Sequence, residues 1–213
     1  MGYRYVIWDW NGTLFEDMQI CIEVMNKILA ENSLPVIPNI DRYRELFCFP
    51  VRKYYERLGI SFKKKTFEDF VNQYMAGYSI EHKNAKLYNG AVEVLELFSQ
   101  AGVKQVIISA SEKNSLLKQM EPFNINRYFI DIIGLKNNFA ISKAELAKNW
   151  FKQNGINVTE AIFIGDTIHD FEVAETVGCK CLLIANGHQS KNVLKSVPAT
   201  VLDDISDAVS FVL

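Results

Sequence analysis

Residues 3–14 read YRYVIWDWNGTL, an apolar run that turns abruptly into a short polar stretch at Asp9. Val6, Ile7 and Trp8 are apolar at consecutive positions. A strand made of them buries both of its faces, as strands inside parallel sheets do. Asp9, Asn11, Gly12 and Thr13 then fall just past the strand's carboxyl end. That is where ligands gather in open α/β sheets.

The same grammar recurs outward from this stretch. Apolar runs at 103–109 (VKQVIIS), 128–134 (YFIDIIG), 161–165 (AIFIG) and 180–185 (KCLLIA) predict further buried strands, with a weaker one at 199–202 (ATVL). Amphipathic stretches at 91–100, 111–120, 143–153 and 171–177 lie between them, and Gly102 and Gly178 are placed to end the first and last. This alternation predicts an α/β fold with a doubly wound parallel sheet. The rhythm breaks once, between about 15 and 84, where no strand pattern is found. Met18, Cys21, Ile22, Met25, Ile28 and Leu29, and later Phe67, Phe70, Val71, Tyr74 and Tyr78, recur at helical spacing instead. The expected organisation is a core of residues 1–15 and 84–213, interrupted by an all-helical insert over 16–83.

The bulk numbers narrow the class. A chain of 213 residues suits one core with a modest insertion, and 49% apolar with 23% charged residues is the balance of a soluble globular protein. The net charge of −2 argues against a nucleic-acid partner, and Lys63-Lys64-Lys65 reads as a solvated helix lead-in. No signal-peptide pattern opens the chain, and no apolar stretch nears the roughly 20 residues needed to span a bilayer. A cytoplasmic protein with no membrane partner is expected. Cys21, Cys48, Cys179 and Cys181 lie in apolar surroundings and read as reduced core thiols.

The polar residues that carry chemistry sit at strand ends or helix starts. Asp9 and Asn11 follow the first strand, Ser109 ends the second, Lys143 opens a helix, and Asp166 and Asp170 follow the fourth strand in GDTIHD (165–170). Singly, each has a plain structural explanation: an aspartate after a strand caps a helix, and a lysine at a helix start faces water. In this order they form a set. DWNGTL (9–14), the serine of VIIS (106–109), Lys143 in ISKAEL and GDTIHD make the chain resemble, over nearly its full length, haloacid-dehalogenase-superfamily hydrolases with a helical cap. The likeness is to the phosphoglycolate-phosphatase and β-phosphoglucomutase branch.

That resemblance implies a phosphatase in which Asp9 is the nucleophile and forms an aspartyl-phosphate. It implies Mg²⁺ held by Asp9, the backbone carbonyl of Asn11 and Asp166, with Asp170 acting directly or through water. Ser109 and Lys143 hold the phosphoryl oxygens. Gly12, Thr13, Ala110 and, from the cap, Arg52 contact a small phosphorylated metabolite, and a monomer or weak homodimer is expected. Phe47, Phe49, Arg52, Lys53 and Tyr54 are expected to line the substrate pocket with an aromatic surface and a positive end.

One letter departs from the family pattern. Related phosphatases carry at position 11 an aspartate that protonates the leaving alkoxide and later activates water; this chain has Asn11. An amide cannot exchange that proton, and general acid–base help is worth about 10²–10⁴-fold. Phosphonoacetaldehyde hydrolases carry alanine there and use a cap lysine to form an imine. Trp10 matches that pattern, but Lys53, in FPVRKYYERLG, reads as an exposed helix lysine. Dehalogenation gives the pair Asp166 and Asp170 little purpose. A phosphometabolite-binding protein that has lost turnover, with Asn11 as the lesion, and a structural partner on the same fold are the readings from other classes. The remaining catalytic positions all hold competent residue types, which favours an enzyme. His169 and His188 are the other proton carriers near this rim, and both read as loop histidines bonded to backbone or facing water.

Overall fold

The computed structural model describes residues 2–136 and 142–213. Its strands are β1 (Tyr5–Trp8), β2 (Phe15–Glu16), β3 (Lys86–Leu87), β4 (Lys104–Glu112), β5 (Phe129–Leu135), β6 (Ala161–Gly165), β7 (Lys180–Ile184) and β8 (Thr200–Leu202). Six of them form one all-parallel sheet in the order β5-β4-β1-β6-β7-β8. Counted along the chain, that is third, second, first, fourth, fifth, sixth. The winding therefore reverses at the β1–β6 pair, the place where such sheets open a crevice.

The consecutive apolar residues are explained by two separate layers. Val6 and Trp8 of β1 pack into the apolar cluster on one face, with Ile162 and Ile164 of β6 and the helices α5 (Ala91–Gln100) and α6 (Lys113–Met120). Ile7 points the other way and joins Val106, Ile108 and Phe163 under α7 (Lys143–Asn154) and α8 (Ile168–Val177). The alternation is the period-two geometry of a strand covered on both sides.

The insert folds around its own core. Helices α1 (Met18–Glu31), α2 (Ile40–Leu46), α3 (Val51–Arg57) and α4 (Phe67–Glu81) bury a cluster that includes Met25, Leu29, Tyr43, Tyr55 and Phe70. No helix among the described residues is long and apolar enough to cross a membrane.

Two local features differ from the sequence expectation. Phe15–Glu16 is not strand-free: it pairs antiparallel with Lys86–Leu87, a ribbon where the insert leaves and returns. Two residues are too few to show a period, so the sequence carries no signal for it. The helix expected from 111 begins at Lys113 because β4 runs on to Glu112 through an irregular pairing after Ile108. Ser109 Oγ accepts from the Ser111 N–H (3.0 Å), and Glu112 caps α6 by accepting from the N–H groups of Asn114 and Ser115.

The turn after β1 is anchored by Trp10. Its ring is fully buried and stacks on Phe15 at 5.1 Å, and Nε1 donates to Gln119 Oε1 at 2.8 Å. Trp10→Ala should cost about 3–5 kcal/mol, the usual penalty for truncating a buried aromatic. Urea denaturation measures it, and a loss below about 1 kcal/mol would show that the turn does not depend on this ring.

Candidate active site

Asp9 follows β1 directly, and its backbone N–H donates to the Ile164 carbonyl of β6 (2.8 Å). This tie sets the turn beside Asp166, which follows β6. Gly12 makes the approach possible: it has φ +75°, and a Cβ there would lie 2.2 Å from Asp166 Oδ2. Asp166 accepts from Thr13 Oγ1 (3.1 Å) and from the His188 N–H (2.6 Å). Asp170 stands in the first turn of α8, where Oδ2 accepts from the N–H and hydroxyl of Thr167 (3.0 and 2.7 Å). Lys143, the first residue of α7, donates to Asp9 and, at 2.5 Å, to Asp170. All four charged groups are buried.

The charges do not balance. Three carboxylates face one ammonium, which leaves two negative charges with no positive partner. Burial pushes the Asp9 carboxyl up to about 6, against the pull of Lys143. It pushes Asp166 up to about 7, with Asp170 and Asp9 adding to the rise. Burial also opposes ionisation of Asp170, but the Lys143 ammonium outweighs it and holds that carboxyl below the usual range. Asp9, Asp166 and Asp170 each offer an oxygen within 4.8 Å of the others. An all-oxygen set carrying two surplus negative charges fits a hard divalent cation. Lys143 and Thr167 engage the two oxygens of Asp170.

Around Asn11 lies a network that sequence reasoning missed. Its Nδ2 donates to Asp17 Oδ2 (2.8 Å) and Tyr78 Oη (2.9 Å), and its Oδ1 accepts from Ser111 Oγ (2.7 Å). Asp17 stands at the N-cap of α1 yet makes no capping hydrogen bond. Its carboxylate instead accepts from Tyr78 Oη (2.5 Å) and pairs with His188 Nε2 (3.3 Å), whose Nδ1 meets Tyr43 Oη at 2.8 Å. His188 is therefore not a loop histidine facing water: it is 5% exposed and ion-paired. Asp17 was invisible in the sequence because an aspartate just ahead of an apolar helix is what a cap looks like. His169 stacks on Phe49 at 4.6 Å.

These groups open onto a cavity of about 300 Å³ between the sheet edge and the insert. Asp9, Asn11, Ser109, Ala110, Lys143, Asp166 and Asp170 line it. Gly12 and Thr13 do not, and they position Asp166 rather than face the cavity. Arg52 also lies outside it: this exposed side chain lays its guanidinium over the rings of Phe62 (4.6 Å) and Phe67 (5.0 Å). Lys53 is exposed and likewise off the cavity wall, so an imine-forming cap lysine is not found there. Phe47, Phe49 and Tyr54 line it as expected.

The family model for haloacid dehalogenase-like hydrolases matches residues 6–184. The chain belongs to that family. A phosphoglycolate phosphatase of Pseudomonas savastanoi pv. phaseolicola is 22% identical over 213 residues, covering 95% of this chain and 77% of the relative. Phosphoglycolate phosphatase 1 of Pseudomonas aeruginosa is 24% identical, covering 96% and 78%. Among solved structures, a haloacid dehalogenase-like hydrolase of Streptococcus pneumoniae superposes with a TM-score of 0.83 at 20% identity over 98% of both chains. The protein tyrosine kinase A of Mycobacterium tuberculosis superposes equally well, with a TM-score of 0.83 at 17% identity over 100% of this chain and 99% of that one. Likeness of that degree shows the fold alone, and function has to be argued from the site.

The Asp17–His188 pair sets a pH dependence. Burial alone would lower the His188 pKa, but the Asp17 carboxylate raises it to about 9 from the usual 6.5. A raised folded value means stability that is fully present below 6.5 and lost as pH rises through 9. Asp9 titrates below this window, at about 6, whereas Asp166, at about 7, overlaps its lower end and adds to the same fall, so the comparison with Asp17→Asn isolates the pair. The unfolding free energy of the metal-free protein should therefore fall between pH 7 and 9, and Asp17→Asn should flatten that fall. Equal slopes in both proteins would show that the pair is not ionised.

Proposed function

We propose that this chain is a Mg²⁺-dependent phosphatase that hydrolyses small phosphate monoesters through a phosphorylated Asp9. The observation that carries the reading is Asp9 itself: a buried carboxylate at the cavity wall, fixed by Lys143 and facing the surplus negative charge of Asp166 and Asp170. Asp9, the Asn11 carbonyl and Asp166 are the residues that would hold the cation. Once bound, it would offset the repulsion between a carboxylate nucleophile and a phosphate dianion.

The chain's own groups then divide the work. An Asp9 oxygen bonds to phosphorus as the ester P–O bond breaks, and the electron pair leaves on the alkoxide. Ser109 and Lys143 hold the phosphoryl oxygens, and Lys143 offsets charge as it develops. Water then attacks phospho-Asp9, which restores the carboxylate and releases phosphate. The helical insert, residues 16–83, serves as a cap that excludes bulk water. Its contacts across the cavity support this: Arg44 donates to the Gly187 carbonyl (2.9 Å), and Gln189 donates to that of Phe47 (3.2 Å).

Asn11 is the weak link in the cycle. Its amide is held at both ends, by Asp17 and Tyr78 on one side and Ser111 on the other, and it has no proton to give. The alkoxide must take its proton from solvent, so turnover should rise as the leaving group becomes a weaker base.

Two measurements test this. Activity should vanish with EDTA and with Asp9→Asn and should return with Mg²⁺ in the native protein; activity indifferent to chelator would refute the metal. Asn11→Asp should raise hydrolysis of alkyl phosphates roughly 10- to 1,000-fold. It also sets two carboxylates where a 2.8 Å hydrogen bond now joins Asn11 to Asp17, so the gain should be larger in Asn11→Asp/Asp17→Asn. No gain in either variant, together with a dead Asp17→Asn single variant, would show that Asp17 already carries the proton.

A further inference from the structure

The cavity bears on the substrate class. Taking the phosphatase reading as its basis, we propose that the preferred substrate is a phosphate monoester of an uncharged aromatic or bulky apolar group, and that esters with a second anionic end are disfavoured.

The wall away from Asp9 is built by Phe47, Phe49, Tyr54, Phe67, Val71 and Tyr74. Aromatic walls of this kind bury a ring with little loss of side-chain freedom, and every buried patch of apolar ligand surface adds affinity. The basic side chains are engaged elsewhere. Among the described residues lining the cavity they are Lys143, His169 and His188. Lys143 is held between Asp9 and Asp170, and His188 is paired with Asp17. His169 stacks flat on Phe49 beside the exposed Glu172. Arg52, the residue a carboxylate-bearing substrate would call for, lies over Phe62 and Phe67 outside the cavity. A carboxylate carried into this wall would lose its hydration and gain no positive partner.

Tyr54 contributes its ring to this wall: its Oη has no exposed surface, and burial keeps the hydroxyl neutral. The chemistry of Asn11 points the same way, because a phenolic leaving group needs less help from an acid than an alkoxide does.

Leaving-group chemistry and cavity preference are separated by comparing two non-hydrolysable ligands on the native protein with Mg²⁺. The first, 2-phenylethylphosphonate, is the isostere of benzyl phosphate; the second, 3-phosphonopropionate, is the isostere of 2-phosphoglycolate. Isothermal titration should show the first binding roughly 10- to 100-fold more tightly, the gain expected from burying one phenyl ring. Equal or tighter binding of 3-phosphonopropionate, or no binding of either, would overturn the proposal. Val71→Arg, which adds a cation to the wall, should narrow or reverse the preference. The ligand comparison in the native protein stands even if that variant does not fold. Turnover is read separately: if 2-phenylethylphosphonate binds as expected but benzyl and phenyl phosphates are not hydrolysed, the phosphatase reading fails and the ligand class stands.

Discussion

Everything at this site depends on the burial of three carboxylates against a single ammonium. Lys143 answers Asp170 and Asp9, and Asp166 is left to backbone and hydroxyl donors. Two surplus negative charges inside a protein are costly unless a cation joins them or protons neutralise them, and burial accordingly raises the values of Asp9 and Asp166. The fold is what enforces the crowding. Adjacent parallel strands end side by side at the β1–β6 pair, and a glycine at position 12 removes the Cβ that would hold the two loops apart.

Asn11, the departure noted in the sequence, is also one of the residues that tie the insert to the core. Asn11 reaches Asp17 and Tyr78 in the insert and Ser111 on β4. An aspartate at position 11 would need a different partner, because it would meet the Asp17 carboxylate. Asn11 and Asp17 therefore belong together as one electrostatic arrangement, and neither is explained alone. His188 completes it by balancing Asp17, which keeps that buried charge from adding to the surplus around Asp9.

Much of this was legible in the chain. Buried parallel strands announce themselves as short runs apolar on both faces, so all six sheet strands were found, and the groups that follow them were drawn together by topology alone. The helices Met18–Glu31 and Phe67–Glu81 were legible because their apolar residues recur at spacings of three and four rather than in continuous runs. What escaped has a common cause: it depends on contacts between segments distant in sequence. Nothing near Asp17 in the sequence sets it apart from an ordinary helix cap, because the groups that claim its carboxylate are Tyr78, 61 residues on, and His188. Arg52 looked like a substrate cation until its guanidinium was found on Phe62 and Phe67. The Phe15–Glu16 ribbon was too short to have a period at all.

In the proposed reaction Asp9 accepts the phosphoryl group, and Asn11 leaves the resulting acyl phosphate slow to hydrolyse. Rapid acid quench of the native protein turning over phenyl phosphate with Mg²⁺, followed by peptide mass spectrometry, measures this directly. A large fraction of the peptide carrying Asp9 should bear one phosphoryl group at steady state, and that fraction should fall when Asn11→Asp supplies a base for water. Steady turnover with no phosphorylated Asp9, or phosphate found on another residue, would contradict it.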